Sequence, residues 1–211
     1  TELLKFESTP EMEASELYKQ IRPEVERIME AVVVEHFSEP PAMAGVMPSD
    51  QKGTNDAPVR ALAWNLERGI RFNGIVNALT DHPQLKAKDV LLLTELDHGM
   101  ARSENRFVAQ AIAREFKLNY AFAPVYIPLQ KGSGVESEVE GENTTSIHGL
   151  ALFSPHPISN VHAVPLPNGK DKMWGKEKRL GWLRALFADV DHPAGTFRAV
   201  TLHLDVHCSR E

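Results

Sequence analysis

Asn65, Glu95 and His203 each stand at or near the end of an apolar run, and that placement gives them chemical interest. Open α/β sheets keep their sites just beyond the ends of their strands. Glu95 follows Val90-Leu91-Leu92-Leu93-Thr94, so a buried strand delivers one carboxylate to a sheet rim. A carboxylate there suits Mg²⁺, a hard cation that takes oxygen ligands and keeps several waters. Asn65 offers an amide able to touch a metal or a phosphate oxygen. His203 comes after Val200-Thr201-Leu202. Arg102 supplies a guanidinium fork that matches phosphate oxygens, and a purely structural arginine is the competing reading. Taken singly, the others also have plain readings, as a solvated glutamate or a satisfied strand histidine.

A second constellation competes with the first. His203, Asp205 and His207 alternate, so a strand would turn all three to one face. His-x-Asp-x-His is a donor set for a transition metal such as Zn²⁺ in an unrelated hydrolase.

Elements must position these residues, and the sequence sketches them. Ser8-Thr9-Pro10-Glu11 has the form of a helix start, with Ser8 as cap. Ala14, Leu17, Ile21, Val25, Ile28 and Val32 then recur at three and four, an amphipathic stripe. Pro23 interrupts it, which predicts two helices or a kinked one. Residues 1–37 therefore read as an acidic helical extension that packs on the main domain, with dimerisation through the stripe as the alternative. Residues 38–58 carry Pro40, Pro41, Pro48, Gly45 and Gly53 and read as a linker.

From residue 59 onward strands and helices alternate. Strands are expected over 59–64, 90–94, 120–127, 149–154, 159–164, 182–190 and 197–204. A helix is expected over 73–80, and another after Ser103 as cap, containing Phe107 to Phe116. Asp191-His192-Pro193-Ala194-Gly195 joins the last two strands as a hairpin. Residues 59–211 thus predict an α/β domain of α+β-like mixed sheets.

Charge narrows the partners. The net charge is −6, and residues 1–58 hold 12 acids against 5 Lys and Arg, leaving the remainder near neutral. A nucleic-acid binder normally carries a basic excess. The one basic cluster, Lys170, Lys172, Lys176, Lys178 and Arg179, reads as a solvated loop. Nucleic acid stays among the expected partners without a strong patch to receive it. No apolar run is long enough to span a bilayer. The single cysteine, Cys208, and the lack of a signal-like start point to the cytoplasm.

Five stretches together resemble the endonuclease/exonuclease/phosphatase superfamily, the group of pancreatic deoxyribonuclease, neutral sphingomyelinases and inositol polyphosphate 5-phosphatases. They are Trp64-Asn65-Leu66-Glu67-Arg68-Gly69, Leu91-Leu92-Leu93-Thr94-Glu95-Leu96-Asp97, and Arg102-Ser103 through the following helix to Leu118-Asn119-Tyr120-Ala121-Phe122. The others are His148-Gly149-Leu150-Ala151-Leu152-Phe153-Ser154-Pro155-His156-Pro157-Ile158 and the pair Arg184-Ala185-Leu186 with Thr201-Leu202-His203-Leu204. Thr94 stands where Gln is commoner. The resemblance covers residues 59–211 in order. It implies a four-layer α-β-β-α sandwich and hydrolysis of a phosphoester, most readily a phosphodiester, with Mg²⁺ or Mn²⁺ as cofactor. It also implies that Glu95 binds the metal, that Asn65 touches metal or phosphate, and that His203 stabilises charge on the scissile phosphate.

Such a family further needs a Gly-Asp-x-Asn motif and a terminal Ser-Asp-His, whose Asp and His act on the attacking water. No Asp-x-Asn occurs. Thr80-Asp81-His82 mimics the last motif but falls between the first two, and Asp97-His98 and Asp191-His192 read as flanking loop and turn. The expectation is therefore a chain holding the first part of an active site and nearly inactive alone. A catalytically dead binding or scaffold fragment is the alternative. Substrate choice is expected to sit in loops 128–146 and 166–180.

Overall fold

A computed structural model describes residues 2–38 and 58–205 as a mixed α/β structure with two sheets. The first helix, α1 (Thr9–Ala14), starts as its sequence demands: Ser8 Oγ accepts from the Glu11 amide, and Glu11 Oε2 reaches back to the Glu7 amide. The stripe breaks at Ser15 rather than at Pro23. Ser15 donates to the Met12 carbonyl and caps α2 (Glu16–Glu30) by accepting from the Tyr18 amide, and α2 runs through Pro23. Tyr18, Val25 and Met29 are buried with Leu3, Phe6 and Met12 in a core that also takes in Met173 and Leu180. Burial of that face holds the helix together where propensity alone would part it.

The extension is not wholly helical, as its sequence suggested. Val33–Glu35 form β1, which pairs antiparallel with β4 (Asn119–Pro128) at the sheet edge. Val33 and Val34 are β-branched, which favours an extended chain once an open edge is offered. Most of the proposed linker lies outside the described residues.

The larger sheet has the order β1-β4-β5-β3-β2, with β2 (Ala61–Arg68), β3 (Val90–His98) and β5 (Ile147–Ser154), and β7 (Arg179–Gly181) also pairing with β4. Only β2 and β3 run parallel, joined by α3 (Phe72–Asp81). The smaller sheet is β6 (Ile158–Pro165), β8 (Arg184–His192) and β9 (Gly195–Leu202), the last two joined by the expected hairpin, with His192 opposite Gly195. Ser103 does not cap α4 (Val108–Phe116). It sits in a short 3₁₀ turn and donates to the Met100 carbonyl.

Period-two alternation divides the core. Tyr120, Phe122, Ala151, Phe153, Leu91 and Leu93 face α3 and α4, where they meet Leu79, Ile112 and Phe116. Their neighbours Ala121, Ala123, Leu150, Leu152 and Val90 face Leu186, Ala188 and Val190 of the smaller sheet. A central sheet buried on both faces explains the almost unbroken apolar runs of β3 and β5. No helix among the described residues is long and apolar enough to cross a membrane.

Candidate functional site

The alternation of β3 fails at one point, and the site is built there. Leu91 and Leu93 face the helices, so an unbroken strand would turn Glu95 into the same core; instead Leu96 takes that place. The shift comes from bulges on both sides. Opposite β2 the register passes from Asn65–Thr94 to Arg68–Leu96, and opposite β5 from Leu93–Ala151 to Leu96–Gly149. Glu95 itself has φ of 56°, as do Glu67 and Arg68 at 47° and 68°. Left-handed backbone at non-glycine residues costs about 1–2 kcal/mol each, and such strain gathers at functional sites. Gly69 closes the β2 bulge at φ of 75°, where a Cβ would lie 2.6 Å from Val108 Cγ1.

The bulge puts Glu95 beside two of its expected companions. Asn65 Nδ2 donates to Glu95 Oε1 at 2.8 Å, while Asn65 Oδ1 accepts from the Glu67 amide at 2.9 Å. Those two partners fix the amide's orientation. Asn65 therefore steadies the carboxylate through its nitrogen, and its oxygen is already engaged. His203, just past β9, brings Nδ1 to 3.8 Å from Glu95 Oε1 and is 42% exposed. Glu95 and His203 line a cleft of about 250 Å³ together with Arg68, Tyr126, His148, Lys172 and Arg179.

Of Asn65, Glu95 and His203, Glu95 is the one that could hold a hard cation, through a carboxylate oxygen. Glu95 offers oxygen, is steadied by an amide donor and is partly open to water, which fits a cation that binds through one carboxylate and retains waters. Arg68 adds charge beside it, with Nη1 3.9 Å from Glu95 Oε2 and Nε 3.3 Å from Glu136 Oε1.

Arg102 also borders the cleft, but its guanidinium is spoken for. It makes two bonds to Asp97, at 2.8 and 3.0 Å, one to Glu177 at 2.7 Å and one to Glu136 at 3.0 Å, with its side chain 2% exposed. Burial opposes its charge, yet the three carboxylates raise its pKa above the usual arginine value. A phosphate would have to displace buried partners, so Arg102 acts here as a structural clamp.

The zinc constellation meets a different neighbour. Asp205 is ion-paired with Lys172, and His207 lies outside the described residues. Asp81 and His82 end α3 and do not line the cleft. Asp191 and His192 lie at the far end of β8, where His192 faces Asp89 and His156. In that far cluster His192 Nδ1 accepts from the Ala194 amide, so its Nε2 carries the proton when neutral. That nitrogen then faces Asp89 as a donor, 3.8 Å away, rather than as a metal ligand.

One pair went unread in the sequence. His148 lines the cleft, and its Nδ1 lies 2.8 Å from Asp97 Oδ1. Asp97 is fully buried; burial alone would raise its pKa, but hydrogen bonds from His148 and Arg102 outweigh it and hold the carboxyl below its ordinary range. An ionised Asp97 keeps the His148 proton on Nδ1, which leaves Nε2 as the basic nitrogen. The two residues are 51 apart in the chain, so no local pattern joins them.

No family model, curated protein or solved structure matches this chain.

Proposed function

We propose that the chain is the metal- and phosphate-facing portion of a Mg²⁺- or Mn²⁺-dependent phosphoester hydrolase of the endonuclease/exonuclease/phosphatase kind, acting most readily on phosphodiesters. Its two sheets and outer helices would be part of a four-layer α-β-β-α sandwich. The observation that carries the reading is Glu95: a strained double bulge turns one carboxylate out of the core, beside Asn65 and His203. The bulge also buries Leu96 in the place Glu95 would take, and a partly exposed ligand carboxylate is a reason for the strain beyond that packing.

In this reading Glu95 holds the cation and Asn65 fixes the carboxylate's angle. A cation held there would supply Lewis-acid polarisation and charge neutralisation at a phosphoryl oxygen. His203 and Arg68 donate to the phosphate oxygens, which orients the ester without covalent help from the protein. His148, set by Asp97, takes a proton on Nε2 from a water in the cleft. The sequence alone left that water without a partner, and the dyad answers part of that lack.

Manganese binding followed by electron paramagnetic resonance tests the assignment. One Mn²⁺ site is expected, tightened by orthophosphate and weakened at least about tenfold in Glu95→Gln, since one charged ligand is lost while size is kept. Binding that ignores both orthophosphate and the substitution refutes it.

A further inference from the structure

The cleft does not end at Arg68. It opens into a second hollow of about 310 Å³ that shares Arg68, Lys172 and Arg179 with it and adds Lys170, Lys176 and Ser133. Five cations border this annex against three carboxylates, in a chain whose net charge is −6. The carboxylates are committed. Asp171 accepts from the Thr9 amide at 2.8 Å and its hydroxyl at 2.5 Å, Glu177 accepts from Arg102 and Arg179, and Asp205 holds Lys172. Lys170 and Lys176 are exposed, and neither pairs with an acid among the described residues.

This is the basic cluster that reads from sequence as a solvated loop, and the structure gives it a frame. Lys178, its one member that borders neither hollow, donates to the Leu4 and Phe6 carbonyls at 2.9 and 2.6 Å. Met173 and Leu180 are buried among Leu3, Phe6 and Met12. The N-terminal segment thus fastens the loop at several points and aims the remaining cations at one hollow. Tyr126 stiffens the inner wall, with Lys172 Nζ 5.5 Å and the Arg179 guanidinium 5.0 Å from its ring.

We propose that the annex binds a second phosphate of the substrate whose scissile phosphate faces Glu95, an inference that rests on the phosphoesterase reading. The preferred substrate is then a phosphoester that carries a further phosphate, whether on a nucleotide or on another small phosphorylated molecule. Two lysines that lack acidic partners meet that group at little desolvation cost, and Lys172 and Arg179 extend the same field towards the metal.

Calorimetric titration of the full 211-residue chain with Mn²⁺ present tests this. The probes are thymidine bisphosphate against thymidine monophosphate, and fructose bisphosphate against fructose monophosphate. Each bisphosphate is expected to bind about tenfold tighter than its monophosphate, the gain of one or two partly exposed charge-assisted contacts. In Lys170→Ala/Lys176→Ala that ratio falls to near one, while monophosphate affinity stays unchanged. Both lysines are exposed, so the double variant keeps the fold. Preference for the thymidine pair assigns the second phosphate to a nucleotide; equal preference assigns it to phosphate chemistry alone. A ratio near one in the parent chain, or one that survives the double variant, overturns the annex. Failure of the underlying reading looks different: monophosphate binding then stays indifferent to Mn²⁺ and to Glu95→Gln, whatever the lysines do.

Discussion

The guanidinium of Arg102 grips Asp97 through two bonds, Nε to Oδ2 at 2.8 Å and Nη2 to Oδ1 at 3.0 Å, with both side chains cut off from water. Asp97 in turn holds His148, so the clamp sets the angle of the imidazole in the cleft.

Arg102→Leu should therefore act on stability before chemistry. It leaves the buried Asp97 carboxylate with only His148 beside it and takes one of the two arginines from Glu177, and breaking a buried pair costs about 3–5 kcal/mol. Urea unfolding measures this. A loss under about 1 kcal/mol would mean the arginine is spare, and phosphate recognition would return as its role.

Glu95→Gly should separate function from stability in the opposite sense. Glycine accepts φ of 56° freely, and that relief roughly cancels the extra chain entropy glycine loses on folding. Unfolding free energy is expected to stay within about 1 kcal/mol of the parent while Mn²⁺ binding vanishes. Leu93→Ala, two residues back in the same strand and fully buried, should cost about 2–5 kcal/mol. If Glu95→Gly destabilises as much as Leu93→Ala, the glutamate is structural.

Much of this was legible in the chain. The apolar runs gave β3 and β5 their places, and Ser8 and Glu11 wrote the start of α1. Asn65 and Glu95 were visible because each follows a strand-like run, a purely local signal. The bulge was not visible, because the shift that frees Glu95 shows only when Leu96 is found in the core. Pro23 misled because burial of Val25 and Met29 overrides a local penalty. A structural role was one of the two readings of Arg102, but the Asp97–His148 pair and the Glu136 and Glu177 partners of Arg102 escaped because ion pairs between distant segments leave no period in a sequence. Lys172 and Arg179 were seen as charges, but what aims them, the packing of the N-terminal segment, is tertiary.

Acid should weaken the fold through Asp89. Burial of its carboxyl favours the neutral form, but the neighbouring His156 imidazole, 3.7 Å away, and hydrogen bonds from Arg60 prevail and hold its pKa well below the carboxylate range. A depressed folded pKa contributes stability that is fully present above the unfolded value near 3.8 and lost as pH falls through the folded one. Asp89→Asn is expected to cost about 1–3 kcal/mol at neutral pH, given the half-exposed Arg60 partner. The gap between variant and parent should narrow below about pH 4. Denaturation midpoints across that range check it; a gap that stays constant contradicts it.

The most direct measurement is release of p-nitrophenol from bis-(p-nitrophenyl) phosphate by the 211-residue chain, with and without Mg²⁺. The account predicts slow turnover that requires Mg²⁺ or Mn²⁺, falls at least about a hundredfold in Glu95→Gln, and falls about ten- to a hundredfold or more in His148→Gln as a proton acceptor is lost. Turnover indifferent to the metal and to Glu95, or none from a chain that binds Mn²⁺ and orthophosphate together, would contradict it.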